Sequence, residues 1–495
     1  MTLDVAAVLN GTAAEVVVIE PDGTPTRRGL HVGDLSREFS VVSIDSRLTQ
    51  RNALFVALPG ERVDGHDFVT AALRAGALGA LVSRIPAEHD FASAVASSGG
   101  KSRYLFVVSD TLRALQQLGT YWRRRHSATV VGITGSIGKT TTKEIVSSVL
   151  ASSRPVLKSV ANLNTEIGLP LMLLNLEPKH EVAVLEMGMY EAGDIALLAR
   201  IAEPQIGIVT TVAPIHLERM RTIEAIAREK SRLVTALPPT GLAVLNADDP
   251  WTRAMAKVTG KARSVLAGLG EEADYQAIDV AAHGLDGTSF TLVAEGEHHE
   301  VRTQVAGAHT IHAFLTAAAV ARVVGMTLAE VRDAMEEVRL DARQRIIRHR
   351  GDMLIIDDSY NAAPMSMNAA LALLDASPGT KIAVLGDMLE LGPAEESAHR
   401  ELGERAAEVA DWLVVRGPRG AWIADAAERH GLPAGHVVRT LSNAEALQAV
   451  REVVGGDIMA GRVPAADEEI EWTVLVKGSR GMQMEEVVAG LRGER

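Results

Sequence analysis

Short apolar runs recur along the chain with longer amphipathic stretches between them. The runs TVVGIT (129–134), VAVLEMG (182–188), IGIVTT (206–211), LAVLN (242–246), MLIIDD (353–358), IAVLGD (382–387), WLVV (412–415) and TVLVKG (473–478) are too apolar for strands with one wet face. They predict central strands of parallel sheets. After the first run, Ile145, Val146, Val149 and Leu150 share one face of a helical pattern. Such β and α alternation predicts a doubly wound α/β fold. The polar residues that close the runs are Gly135, Glu186, Thr210, Asn246, Asp358, Asp387 and Lys477. Open α/β sheets place their ligands just beyond the carboxyl ends of the strands, so these positions form the first functional signal.

At roughly 100–200 residues per domain, a chain of 495 residues predicts about three domains. Residues 1 to about 127 have a different grammar, with a strand, loop, strand pattern in 39–60 and a helical pattern over 66–83. Residues 260–306 alternate apolar and polar positions between glycine turns, which predicts antiparallel β late in the central domain. A new α/β unit starts near Arg345, the charged segment 335–345 is expected to act as a hinge, and the acidic stretch 464–472 as a mobile loop. The division expected is therefore 1–127, 128–338 and 339–495.

Charge narrows the function. Lysine and arginine total 50 against 63 acidic residues, a net charge of −13, and the basic cluster WRRRH (122–126) is short, so no nucleic-acid partner is expected. The absence of cysteine excludes disulfides and thiolate metal sites and fits a reducing, cytoplasmic setting. No apolar run reaches the roughly 18 residues of a membrane helix and the first residues lack a basic leader, so neither membrane insertion nor secretion is expected.

The stretch GITGSIGKTTTKE (132–144) carries the clearest chemistry. Ile133 stands where the usual phosphate loop has its first glycine, so the match is to a compact form, Thr134-Gly135-Ser136-x-Gly138-Lys139-Thr140-Thr141. Glycines let backbone N–H groups turn inward, the following helix aims its positive end at an anion, and Lys139 adds a point charge. Thr140 is placed to ligate magnesium. A plain turn would explain the glycines but not the adjacent Gly-Lys-Thr. Glu186, His216 and Lys230 follow at later strand ends or helices; singly they read as a cap acid, a loop histidine and a solvated lysine.

Nine blocks stand in the order found in Mur ligases. They are DSRLTQRNALFVALPGERVDGHDF (45–68), GSIGKTTTKE (135–144), NLNTEIGLPL (162–171), LEMGMYEAGDI (185–195), APIHLERMRTIEAIAREK (213–230), VLNADDP (244–250), DDSYNAAPMSM (357–367), VLGDMLELG (384–392) and LVKGSRGM (475–482). The chain resembles this family across all three domains, and most of all its dipeptide-adding branch. The resemblance implies a sugar-nucleotide domain, an ATP-binding domain with a phosphate-loop parallel sheet, and a Rossmann-like carboxy-terminal domain that brings the amine. It implies UDP-N-acetylmuramoyl-tripeptide and D-alanyl-D-alanine as substrates, ATP and two Mg²⁺ ions, and a monomer. By the same resemblance, Lys139 meets the β/γ-phosphates, Thr140 and Glu186 hold one Mg²⁺, and His216 holds a second with Lys230 in carbamylated form. Asn246 and Asp248 would lie beside the nucleotide, with Arg343 and Asp358 reaching it from the third domain. Ser46 and Arg47 would contact the UDP portion, Asn164 and Thr165 the peptide tail, and Asn361, Lys477, Ser479 and Arg480 the dipeptide.

Departures from the family pattern accompany the match. GAHTIHAFL (307–315) has Ala308, Thr310 and Ala313 where the family has an arginine and two asparagines, which are normally close to adenine. Altered base contacts are therefore expected, with His309 and His312 in packing or turn roles rather than as metal ligands. Ala363 and Thr165 also replace asparagines. Residues 345–495 lack the Lys-Gly-His-Glu and Asp-Asn-Pro-Arg blocks of the diaminopimelate-adding relative, which fits an amine without a charged side chain. The alternatives are a glutamate-adding ligase of the same superfamily, against which the 45–68 block stands, and a nucleotide switch, which would not need Glu186, His216 and Lys230 together.

Overall fold

A computed structural model describes residues 3–60, 63–86, 91–96, 101–160, 162–214, 217–340, 345–349, 352–455 and 470–493, without the side chains of 217 and 218. His216, Arg343, residues 341–344 of the expected hinge and residues 464–469 of the expected acidic loop lie outside the described residues.

Three sheets follow one another along the chain. The first holds β1 (Glu15–Ile19), β2 (Pro25–Thr26), β3 (Val42–Ser43), β4 (Leu54–Val56), β5 (Gly79–Val82) and β6 (Arg103–Val107), in the order β2-β1-β6-β5-β4-β3. It is parallel from β3 to β6, and β1 runs antiparallel to both of its neighbours.

The second sheet holds β7 (Thr129–Thr134), β8 (Val156–Lys158), β9 (Val182–Glu186), β10 (Ile206–Val209), β11 (Leu242–Asn246), β12 (Arg263–Gly268), β13 (Tyr275–Ala282), β14 (Thr288–Ala294) and β15 (Glu297–Thr303). Its order is β15-β14-β13-β12-β11-β10-β7-β9-β8. The strands from β8 to β13 are parallel to their neighbours, and β13-β14-β15 form the antiparallel meander expected for 260–306. The third holds β16 (Arg345–His349), β17 (Met353–Asp358), β18 (Thr380–Gly386), β19 (Trp412–Arg416), β20 (Val437–Thr440) and β21 (Trp472–Lys477), ordered β16-β17-β21-β18-β19-β20. Only its edge strand β16 is antiparallel. All eight apolar runs are strands of the second and third sheets, each with at least one parallel neighbour.

Burial on both sheet faces explains why these runs show no alternation. In the central unit, Val131 and Ile133 face the helix Lys139–Ala151 and the alanine-rich helix Ile311–Val323, while Val130, Ala183 and Leu185 face the opposite cluster. That second cluster is shared with the first unit, so the two pack as one body. The helix Thr111–Arg124 forms the seam: Ala114, Leu115, Leu118 and Trp122 are buried, Trp122 Nε1 donates to Leu176 O (3.0 Å), and Arg123 Nε donates to Ala202 O (3.1 Å). The basic cluster 122–126 is thus in part a structural brace. The helix Leu328–Glu336 takes up the first two residues of the segment 335–345 expected to act as a hinge. Among the described residues no helix is long and apolar enough to cross a membrane.

Candidate active site

The glycine loop joins β7 to the helix Lys139–Ala151. Gly135 has φ of 152° and Gly138 has φ of 84°, values that side-chain-bearing residues rarely adopt. A Cβ on Gly135 would stand 1.8 Å from Thr210 Oγ1. Thr210, just past β10, donates from that hydroxyl to Ile137 O (2.6 Å), while Ser136 Oγ donates to Ala213 O (3.0 Å) and accepts from Ala213 N (2.9 Å). Ser136 therefore braces the loop from behind. Lys139 Nζ lies across the loop, donating to Gly135 O (2.7 Å) and Ser136 O (3.3 Å). The result is a positive helix end and an ammonium group aimed at one place, the arrangement that holds phosphate.

Glu186 ends β9 beside this loop and is 5% exposed. Its Oε2 accepts from Thr140 Oγ1 (2.8 Å), its Oε1 from Asn164 Nδ2 (3.0 Å), and its own N–H donates to Ser159 Oγ (3.1 Å). Thr165 Oγ1 accepts from Gly168 N (3.2 Å), at the first residue of the helix Gly168–Leu173. Lys230 is not a solvated lysine: it is 1% exposed. Among the described residues the hydrogen-bond partner of its Nζ is Met189 Sδ at 3.6 Å. Burial, reinforced by the charge of Lys139, pushes its amine well below the ordinary 10.5, against the opposing pull of Glu229.

The opposite wall comes from the third unit. Asp358 and Lys477 are register partners at the ends of β17 and β21. Lys477 Nζ donates to Asp358 Oδ2 (2.5 Å) and Asn361 O (2.9 Å), with side chains 2% and 10% exposed for Lys477 and Asp358. Ser479 Oγ accepts from Leu389 N (2.9 Å) and Arg480 N donates to Asn361 Oδ1 (3.3 Å), while the Arg480 guanidinium pairs with Glu485. Lys477 is thus a buried ion-pair partner that shapes the wall. Lys477→Met is expected to destabilise the protein by about 3 kcal/mol because it strands the Asp358 charge, and Asp358→Asn in the same chain should recover most of that loss. Denaturant midpoints of the single and double variants check it.

Between the two walls lies a cleft of about 730 Å³, lined by Gly135, Ser136, Gly138, Lys139, Thr140 and Thr141 of the loop, by Asn164, Thr165, Glu186, Lys230 and Asn246, and by Asp358, Asn361 and Lys477 across from them. Asp248, Ser479 and Arg480 lie behind or beside this lining. Thr134 is fully buried under the loop, and its hydroxyl has no partner among the described residues. Ser46 and Arg47 sit apart in the first unit, where the exposed Arg47 guanidinium forks onto Asp45 (2.7 Å). Asp387 departs from the strand-end pattern: it is fully buried and accepts from Gly420 N (3.0 Å), closing a loop inside the third unit.

Asp248 lies on the exposed turn after β11, where its carboxylate accepts from Leu269 N (2.8 Å) and meets His312 Nε2 (2.7 Å). His309, in the turn Ala308–Thr310, and His312 both line the cleft. Met189, Tyr190, Asp194 and Ser366 also line it without having been expected. Met189 and Tyr190 follow β9 by only a few residues, so the strand-end rule could have found them; Ser366, on the first turn of the helix Pro364–Asp375, carries no comparable signal.

Known proteins match the chain in sequence and in fold. Family profiles described as Mur ligase family catalytic domain, Mur ligase middle domain, and Mur ligase glutamate ligase domain match residues 38–118, 133–321 and 342–461. The UDP-N-acetylmuramoyl-tripeptide–D-alanyl-D-alanine ligase of Bacillus subtilis is 33% identical over 91% of this chain and 92% of its own length. The enzyme of that name from Mycobacterium tuberculosis is 38% identical over 75% and 76%. A crystal structure of MurF from Acinetobacter baumannii superposes with a TM-score of 0.84 at 28% identity, covering 100% of this chain and 99% of that one. MurF ligase from Thermotoga maritima in complex with ADP gives 0.75 at 29% identity, over 92% and 97%. With three profiles in order along the chain and relatives matched over nearly its whole length, the chain belongs to the Mur ligase family.

Proposed function

We propose that the chain is an ATP-dependent ligase that joins D-alanyl-D-alanine to UDP-N-acetylmuramoyl-tripeptide in the synthesis of peptidoglycan precursors. The observation that carries this reading is the single cleft on which the glycine loop, the Thr140–Glu186 pair and the buried Lys230 converge from one side and the Asp358–Lys477 pair from the other. The relatives that match nearly the whole chain bear the name of this activity, and one related structure is a complex with ADP. Residues 1–127 would take the sugar nucleotide, 128–338 the ATP, and 339–495 the dipeptide. One chain supplies both walls of the cleft, which supports a monomer, and the nucleotide substrates support action in the cytoplasm.

The chemistry begins with two anions that must meet. The tripeptide carboxylate attacks the γ-phosphorus, ADP leaves, and an acyl phosphate results. The dipeptide amine then adds to the acyl carbon, and the tetrahedral intermediate expels phosphate as the amide forms. Lys139 and the loop N–H groups would hold the phosphoryl oxygens in line and lower the repulsion. The donor set suits magnesium, since Thr140 and Glu186 offer hard oxygens. Lys230, whose ammonium form burial disfavours and whose partner among the described residues is a thioether, is suited to react with CO₂ at its nitrogen and lose a proton, becoming a carboxylate-like ligand; by the family resemblance it would share a second Mg²⁺ with His216. Bound magnesium would supply the charge that lets carboxylate and phosphate approach.

Phosphate release from ATP tests the assignment. It is expected only when UDP-N-acetylmuramoyl-tripeptide and D-alanyl-D-alanine are both present. Release that ignores the dipeptide, or that needs glutamate in its place, would overturn it.

A further inference from the structure

The cleft has a direction. The Thr140–Glu186 pair lies on the β9 side of the glycine loop, whereas β10, β11 and β12 continue the sheet the other way. If the reacting phosphate is held on the β9 side, the nucleoside must run over the ends of β10 to β12 toward the helix Ile311–Val323. Asn246, Ala267, His312, Ala313 and Thr316 line that arm. Asn246 is engaged at both ends of its amide, donating to Thr210 O (3.0 Å) and accepting from Asp248 N (2.9 Å). Ala267 and Ala313 have no polar side-chain atoms. Thr310 is buried and donates to Gly307 O (2.8 Å), so no side-chain amide on this turn is left to meet a base.

His312 differs from these. Its side chain is 30% exposed, and its Nε2 lies 2.7 Å from Asp248 Oδ2. Asp248 also accepts from Leu269 N (2.8 Å) and Gly270 N (3.3 Å). Burial would raise the Asp248 carboxyl, but the Leu269 N–H, His312 and the Gly270 N–H outweigh it and keep the group below its usual range. An ionised carboxylate only accepts, so the bond to His312 requires a proton on Nε2, and in the neutral ring Nδ1 then carries a lone pair. Among the described residues Nδ1 has no hydrogen-bond partner.

We propose that His312 reads the nucleobase, its Nδ1 accepting the exocyclic amine of adenine while Asp248 fixes the ring from behind. Asp248 is then a positioning residue. The inference rests on the reading that the glycine loop holds the phosphates of ATP, and its consequence is discrimination against a purine with a carbonyl in place of the amine, since two acceptors would face each other.

Calorimetric titration of the full chain with ADP and with IDP, both in Mg²⁺, tests this without turnover. ADP is expected to bind roughly tenfold more tightly than IDP. His312→Ala should bring the two Kd values within about twofold of one another by weakening ADP alone, and His312→Phe, which keeps a ring but no acceptor, should do the same. Equal weakening of both nucleotides, an unchanged ratio, or a preference for IDP would overturn the role of His312 while leaving the ligase reading intact. If neither nucleotide binds, the ATP site itself fails, and this inference with it.

Discussion

Lys230→Ala is expected to slow ligation by about a hundred- to thousandfold, with short carboxylates such as acetate or propionate restoring part of the rate. The reasoning is electrostatic. An ammonium group at this depth would repel the magnesium proposed for the reaction, yet burial and the neighbouring Lys139 already disfavour that ammonium. A neutral amine is the form that reacts with CO₂, and the product carries the charge the site lacks. Truncation to alanine leaves a space into which a small carboxylate fits. Full activity of the untreated variant would sink the carbamate proposal, and a dead variant without rescue would reduce Lys230 to packing.

The same burial has a consequence for stability. In the apo chain freed of CO₂, the unfolded lysine titrates near its ordinary 10.5 and the folded one well below it. Between those values the unfolded chain binds the extra proton, so stability climbs as pH rises through that window. Lys230→Met should flatten this slope and raise the melting temperature at neutral pH while abolishing ligation. Thermal melts from pH 7 to 9 with and without the substitution read both effects.

Residue order alone carries much of this architecture, and the reasons differ from one element to the next. The runs 129–134 and 353–358 declare themselves as buried strands because helices cover both sheet faces and no wet face imposes alternation. The strand-end rule then places Gly135, Glu186, Asn246, Asp358 and Lys477 on one cleft. It misplaces Asp387, whose run ends just as the others do, because the neighbouring loop folds over it and supplies the Gly420 N–H. What sequence could not carry is pairing across long separations. Lys477 meets Asp358 only because β17 and β21 are neighbours in the sheet, 119 residues apart in the chain. The contact of His312 with Asp248 is of the same kind, since the two stand 64 residues apart and Asp248 belongs to a turn that reads as self-sufficient. Lys230 lies at helical spacing from Ile226, Leu233 and Val234, a local signal that could have put it, unlike the exposed Glu224, Arg228 and Arg232, on the buried face of its helix.

Gly135→Ala is expected to abolish measurable nucleotide binding, a loss of about a hundredfold or more in affinity for ADP. Two separate penalties add here. The backbone at φ of 152° lies in a region that is essentially reserved for glycine. The new methyl would also stand 1.8 Å from Thr210 Oγ1, far inside contact distance, so either the loop or Thr210 must move. Thr210 cannot move freely, because its hydroxyl holds Ile137 O (2.6 Å) and its backbone N holds Thr134 O (3.0 Å). The loop would therefore open, and its N–H groups would no longer converge. A double-mutant cycle separates the penalties: Thr210→Ala removes the hydroxyl and should recover part of the Gly135→Ala loss, while the share due to φ remains. If Gly135→Ala binds ADP like the parent chain, the loop does not grip phosphate in the conformation described. If Thr210→Ala restores binding completely, backbone strain contributes nothing and the clash alone decides.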